Sequence, residues 1–434
     1  MFKTLRDAWA IPELRKKLMF TVIVLLIYRA CNAIPVPFVN VDAMSTFFSN
    51  NLQSTILGFF NAMNGSAFSQ AKILALGIQP YINASIIIQL LTVAIPALER
   101  MAKDEGEEGK KKINTITRYA TVALGLMLGF GYYTMISNAT VQTAAGDVAI
   151  LTQKSWWVAA TIILVFTAGS SLVMWMGEQI TEHGIGNGIS MILFANIVAG
   201  LPQMAMAMGE SSLFKWWSAL IVAVVLILLV VFIVFINDAE RRIPIAYAKR
   251  VVGRKVYGGQ NTNLPIKVAM SGVMPVIFAQ SICSIPATIC AFMGINETSG
   301  NWWYDNVFSA NSWTYIIIYG LMIFFFSWFY AQIQYDPVEI GNNLKKNGGF
   351  IPGFRPGKPT ADFIKKVIEK IIVFGAVYLA IVSLLPIIGG KYVPGVNYMG
   401  IGGTSIIIVV GVALETVKAI EAQMLMRHYK GFLD

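Results

Sequence analysis

The chain has 434 residues, 56% of them hydrophobic and 13% charged, with a formal net charge of +10. Soluble domains carry about a quarter charged residues, so this composition excludes an ordinary soluble globular protein. Apolar stretches of about twenty residues recur, long enough for a hydrocarbon core of roughly 30 Å, and predict an all-α polytopic membrane protein rather than a β-barrel of short alternating strands.

The N-terminal run MFKTLRDAWAIPELRKK is basic and amphipathic. The long apolar segment after it has no small-residue cleavage site, so no cleavable signal peptide is expected. Ten spans are predicted, at about 18–36, 74–95, 113–136, 155–177, 186–207, 216–236, 268–294, 313–333, 367–388 and 402–424.

Basic residues alternate with these spans. Lys3, Arg6, Arg15, Lys16 and Lys17 precede the first, and Arg100, Lys103, Lys110, Lys111 and Lys112 follow the second. Arg241, Arg242, Lys249, Arg250, Arg254, Lys255 and Lys267 follow the sixth. Lys345, Lys346, Arg355, Lys358, Lys365 and Lys366 follow the eighth, whereas the loop from Gly294 to Ser312 has no Lys or Arg. The positive-inside rule puts both termini and these segments in the cytoplasm. Ten spans divide into fives at an external loop, 201–215, giving an N-terminal half (1–200) and a C-terminal half (216–434). An odd count per half makes the halves inverted, and inverted repeats place a pathway at their interface.

Asn51 to Gln70, NLQSTILGFFNAMNGSAFSQ, is apolar over Ile56–Phe60 but broken by Asn61, Asn64, Gly65 and Ser66, too short to span. Two readings fit: a re-entrant helix buried in the bundle, or an amphipathic loop on the outer surface. The next segment, GIQPYINASIIIQLL (Gly77–Leu91), carries Gln79, Pro80, Asn83, Ser85 and Gln89 among its isoleucines, as a helix beside a wetter pathway would.

Cys31, Cys283 and Cys290 suit neither a metal site nor a disulfide framework, and the two histidines, His183 and His428, lie outside the spans. No cofactor or metal is expected. A secondary transporter would need a charged midplane site. An intramembrane enzyme would need paired acids, a Ser/His pair or a histidine-rich metal site, and neither pattern is present. No GxxxxGK[ST] loop occurs, so energy would come from a partner or the proton-motive force.

Five motifs in order, GIQPYINASIIIQLL, GEQITEHGIGNGIS (Gly177–Ser190), RRIPIAYAKR (Arg241–Arg250), NLKKNGGFIPGFRPG (Asn343–Gly357) and GGTSIII (Gly402–Ile408), resemble the SecY family, the central channel of the bacterial Sec translocon. The resemblance implies two five-helix halves in a clamshell around an hourglass pore in the bacterial cytoplasmic (inner) membrane. It makes the interrupted segment a plug at about 58–68, including Gly58, Phe59, Phe60, Asn61, Met63, Asn64, Gly65 and Phe68. It implies an apolar pore ring of Ile82, Ile86, Ile189, Leu193, Ile277 and Ile408, with Leu193 where isoleucine is common. A narrow dewetted ring seals without gripping any one sequence. A lateral gate is implied at Gln89 and Thr92 on one side and Gln280, Ser281 and Ser284 on the other.

The implied partners are the SecE and SecG subunits, the SecA motor ATPase, the ribosome, signal peptides and nascent chains, and anionic lipids. Docking is implied for the cytoplasmic loops 237–267 and 334–366, at Arg242, Arg250, Arg254, Lys255 and Arg355. Lys255 stands where arginine is frequent; it keeps the charge and loses the fork geometry. An insertase without secretion activity is the remaining rival, disfavoured by the ring and plug that the resemblance implies. Glu415 and Lys418, three residues apart, are expected to pair, and Arg29 to snorkel to the outer surface.

Overall fold

The computed structural model describes residues 2–51, 56–103, 106–143, 146–210, 216–247, 250–252, 255–257, 261–270, 272–293, 302, 306–307, 309, 312–392 and 403–430. It is predominantly helical. In chain order the helices are α1 (Phe2–Ala10), α2 (Pro12–Cys31), α3 (Val41–Asn51), α4 (Ile56–Met63), α5 (Gln79–Ala94), α6 (Pro96–Lys103) and α7 (Gly106–Asn138). They continue as α8 (Trp156–His183), α9 (Gly188–Glu210), α10 (Trp216–Asp238), α11 (Met274–Phe292), α12 (Trp313–Gln334), α13 (Pro337–Lys346), α14 (Lys358–Tyr392) and α15 (Gly403–Lys430).

Among the described residues, five helices are long and apolar enough to cross a membrane: Gly106–Ser137, Trp156–His183, Trp313–Lys346, Lys358–Gly389 and Gly403–Leu425. A sixth span is possible if Gln79–Ala94 and Pro96–Ala102, bent by 106°, count as one. The bend has a local cause. Ile95 precedes Pro96 and takes an extended conformation, φ −108° and ψ 113°, as the proline ring demands of its neighbour. Shorter apolar helices cover Gly188–Pro202, Ala223–Asp238 and Met274–Cys290. They coincide with the fifth, sixth and seventh expected spans. Helix α2 coincides with the first but carries Glu13, Arg15, Lys16, Lys17 and Arg29, which sets it apart from the apolar helices.

Strands appear where the sequence reading had only loops. Strands β1 (Thr140–Thr143) and β2 (Gly146–Ala149) pair antiparallel. In the basic segment after α10, β3 (Glu240–Tyr247) pairs antiparallel with β6 (Asn261–Lys267), from Glu240↔Lys267 to Ala246↔Asn261. The short strands β4 (Arg250–Val252) and β5 (Lys255–Tyr257) pair between them. Strand β7 (Gly349–Phe350) comes from the other basic segment and joins the free edge of β3, at Ala246↔Phe350 and Tyr247↔Gly349. The two basic segments therefore share one three-stranded sheet, ordered β6-β3-β7, while β4 and β5 make a separate two-stranded sheet. Alternate side chains of β3, Ile243 and Ile245, are buried with Ile266, Leu344, Ile351, Ile364 and Ile368 in a core of their own. Helix α13 starts cleanly here: Asp336 accepts hydrogen bonds from the N–H groups of Val338 (2.8 Å) and Glu339 (3.3 Å), and Pro337 opens the helix.

The largest apolar core gathers side chains from α2, α4, α5, α8 to α12, α14 and α15. A second packs α3, α4 and the following turns against α7 and α8. Helix α1 packs against α15 and the turn after α8: Ala8 and Leu14 are buried with Ile185 and Ile420, and Thr4 Oγ1 donates to Glu421 at 3.3 Å.

One expectation about charges needs correction. Lys418 does not pair with Glu415; its Nζ bonds Asp238 at the end of α10, at 2.7 Å. The i,i+3 geometry permits a pair on the helix surface, but Asp238 is reached from another helix. Within GEQITEH, Glu178 is engaged at two points by Arg118 of α7, at 2.8 and 3.0 Å, the fork geometry that favours arginine.

Candidate pore and gate

The loop between α8 and α9 sets the position of two ring candidates. Gly188 opens α9 so close to α8 that a β-carbon there would strike the carbonyl oxygen of Gly177. Asn187 caps the new helix, its Oδ1 accepting from the N–H groups of Ile189 (3.0 Å) and Ser190 (3.3 Å). Ile189 thus stands in the first turn of α9 and Leu193 one turn further in. The pair Ile82 and Ile86 shares a face of α5 in the same way.

All six candidate ring side chains meet in one apolar cluster. Ile82, Ile86, Leu193, Ile277 and Ile408 are buried, and Ile189 packs against them partly buried. On one side of the cluster lies a cavity of about 200 Å³, bordered by Leu193, Ile277 and Ile408 and further out by Asn187, Ser190, Tyr330, Gln334 and Glu415. Ile277 also borders a small void shared with Phe60, Met63, Gln79, Gln280, Ser281 and Thr404. It therefore separates the cavity from the segment around α4.

That segment is buried. Leu57 is 1% exposed, and Gly58, Phe60, Met63, Asn64, Gly65 and Phe68 are buried too. The side chain of Phe59 lies outside the described residues. Met63 belongs to the cluster that holds the ring candidates, while Phe60 and Phe68 belong to the second core. Polar groups fix the turn after α4. Asn64 Nδ2 donates to the Ala75 carbonyl (3.0 Å), and the Asn64 carbonyl accepts from Asn32 Nδ2 (3.3 Å). Asn61 Oδ1 accepts from the Ser69 N–H at 2.9 Å. Tyr132 on α7 donates its hydroxyl to the Phe68 carbonyl at 2.7 Å. Gly77 makes room for Asn64: its φ is +54°, and a β-carbon there would collide with Asn64 Oδ1. Nearby, Lys72 has its pKa lowered, first by burial and then by Arg29.

The gate candidates divide. Gln280, Ser281 and Ser284 on α11 are buried, while Gln89 and Thr92 on α5 are half-buried. Thr92 and Ser284 spend their hydroxyls on their own helices, on the Gln89 carbonyl (2.7 Å) and the Ser281 carbonyl (2.6 Å). Among the described residues, a hydrogen bond from α5 to α11 is made by Gln79, whose Nε2 donates to Ser281 Oγ at 3.4 Å. Gln79 was among the polar residues that marked this stretch, but its partner is 202 positions away and nothing local points to it.

Of the docking candidates, Arg355 is exposed, and Arg242 is exposed with its Nε 2.6 Å from Glu240. Arg250 and Lys255 stand in β4 and β5 with side chains outside the described residues, and Arg254 lies outside them altogether. Among the described residues no group of three or more His, Cys, Asp or Glu could hold a metal ion.

The SecY family model matches residues 72–417. The chain is also 41% identical to the protein translocase subunit SecY of Streptomyces galbus, over all of both chains. The chain belongs to the SecY family. Solved structures share the SecY fold across nearly the whole length. One described as "The structure of a protein conducting channel" has a TM-score of 0.65 at 17% identity, covering 97% of each chain. Another, "Sec61 in the Canine ribosome-channel complex from the endoplasmic reticulum", has a TM-score of 0.60 at 17% identity, with the same 97% coverage of each chain. The ring candidates, the α4 segment, Gln79 and Arg355 all lie within the span of the SecY relatives.

Proposed function

We propose that this SecY-family chain is the protein-conducting channel of a bacterial translocon. It passes unfolded secretory polypeptides across the cytoplasmic membrane and releases apolar segments sideways into the bilayer. The observation that carries the reading is the meeting of Ile82, Ile86, Ile189, Leu193, Ile277 and Ile408 in one apolar cluster between a cavity and the α4 segment. Such a constriction excludes water when empty and deforms around any side chain.

Ten spans in two inverted halves, 1–200 and 216–434, hinged at 201–215, are the architecture we assign. The five long apolar helices, the bent α5–α6 pair, the three shorter apolar helices and α2 support that count. The burial of Leu57, Phe60 and Met63 favours a plug at 58–68 over a surface loop. The lateral gate runs between α5–α7 and α11–α12. Its polar contacts are of the modest kind that membrane helices can break, about 0.6 kcal/mol on average.

Both termini and the joined basic segments face the cytoplasm, where the ribosome, which shares a complex with canine Sec61, and the SecA motor dock at Arg242, Arg250, Arg254, Lys255 and Arg355. SecE and SecG complete the channel, anionic lipids surround it, and signal peptides and nascent chains are its clients. The chain itself is not an enzyme; a partner ATPase, the ribosome or the proton-motive force supplies the energy. Reconstitution into vesicles with SecE, SecG and SecA tests this: ATP-dependent uptake of a preprotein is expected. A probe at Ile86 or Ile277 is expected to photo-crosslink to a stalled chain, and labelling of lipid alone would falsify the ring assignment.

A further inference from the structure

Among the described residues, the lining of the cavity beside the apolar cluster carries one formal charge. Glu415 of α15 lines the cavity, and no described residue of the lining is Lys, Arg or His. Glu415 is exposed to that space. No ion pair among the described residues engages it, because Lys418 is taken by Asp238 at 2.7 Å. Lys267 and Lys418 act on it only electrostatically, at longer range. The neighbouring polar groups, Asn187, Ser190 and Gln334, are neutral.

The surroundings make this carboxylate distinctive. The segments that flank the cavity on the cytoplasmic side are basic, with Arg241, Arg242 and Lys267 on one and Lys345 and Lys346 on the other. A cation approaching that face is repelled until it reaches the cavity, where low-dielectric walls concentrate the field of the single acid. Position matters as well as charge. Glu415 stands two helical turns from Ile408 on α15, about 10 Å along the axis at 1.5 Å per residue. A client whose apolar segment lies beside the ring would therefore present its flanking residues near Glu415.

We propose that Glu415 docks the cationic side chains flanking a client's apolar segment, and so biases which end of that segment stays cytoplasmic. The inference rests on the channel reading above. It assigns to one residue of the channel a share in sorting client orientation that the bulk charge of the loops cannot supply, since those loops have the wrong sign.

The test uses the reconstituted full chain with its partner subunits and three signal-anchor clients that differ only in Lys, Gln or Glu flanks. Orientation is read by cysteine accessibility from either side of the vesicle. The wild type is expected to hold the Lys-flanked end cytoplasmic about fivefold more often than the Gln-flanked end, the scale of a partly exposed ion pair. Glu415→Gln should bring that ratio close to one, Glu415→Asp should retain it, and Glu415→Lys should shift the preference to Glu flanks. Because each ratio compares clients in the same channel, a lower yield of folded variant does not move it. An unchanged ratio in Glu415→Gln, or a Glu415→Lys channel that still prefers Lys flanks, overturns the proposal. Absence of insertion for every client in the wild type would instead overturn the channel reading itself.

Discussion

Gln79 on α5 donates its Nε2 hydrogen to Ser281 Oγ on α11 across 3.4 Å, joining two helices that belong to opposite halves of the chain. Ser281 is 3% exposed and Gln79 half-buried, so water competes weakly for the bond. Replacing Ser281 with Ala removes it without adding bulk. The closed contact should weaken by about 0.6 kcal/mol, roughly a threefold shift toward the open gate. Crosslinking of a marginally apolar signal segment to lipid, read against wild type, measures that shift, and no increase would count against a gating role for the pair.

Ile408 is 1% exposed within the apolar cluster. Ile408→Asn places an amide there without a partner, at a cost of about 1–3 kcal/mol. The packed state is penalised more than a loosened one that admits water. Ion flux through empty vesicle-borne channels should rise, and clients with poor signal sequences should be exported better. An ion-tight Ile408→Asn channel with unaltered signal selectivity would contradict the ring role.

The seat of the α4 segment depends on Asn64 and Gly77 together. Gly77→Ala forces a β-carbon onto Asn64 Oδ1 at a φ of +54°, a conformation costly for any L residue by about 1 kcal/mol or more. Asn64→Ala removes the bond to the Ala75 carbonyl directly. Both should free the segment, so that a cysteine at Met63, buried in wild type, becomes reactive to a thiol reagent. The double variant should be no worse than the single ones if the two residues act at one contact, as a double-mutant cycle would report.

Arg355 is exposed. Reversing its charge with Arg355→Glu costs little stability at such a site, within about 0.5 kcal/mol. Motor-driven export should fall sharply while the protein remains folded in the membrane. ATP-dependent uptake and a limited-proteolysis pattern, taken together, separate lost docking from lost fold; uptake at wild-type level would remove Arg355 from the docking surface.

The membrane class and the family were legible in the sequence, the first in charge-poor apolar stretches and the second in five ordered motifs. The sharing of a face by Ile82 and Ile86 follows from helical spacing, whereas bringing Ile277 and Ile408 to the same cluster requires helices distant in sequence. For the same reason Gln89 and Thr92 looked like the polar edge of α5, although Gln79 makes the crossing bond. Lys418 had Glu415 three residues away but found Asp238 at a separation of 180. The pairing of β3 with β7 was equally hidden: Gly349 and Phe350 have no strand signal of their own, and an edge is all that recruits them.

That edge pairing also bears on how a large partner can bind. Two long loops moving independently would each have to be frozen on contact, at an entropic cost that grows with every ordered residue. Stitched through Ala246 and Phe350 over a shared apolar core, the described strands of the two basic segments form one unit. On the docking reading proposed above, a bulky partner would meet a platform rather than a pair of tethers, and a push on β3 would reach α12 and α14 through the apolar core they share.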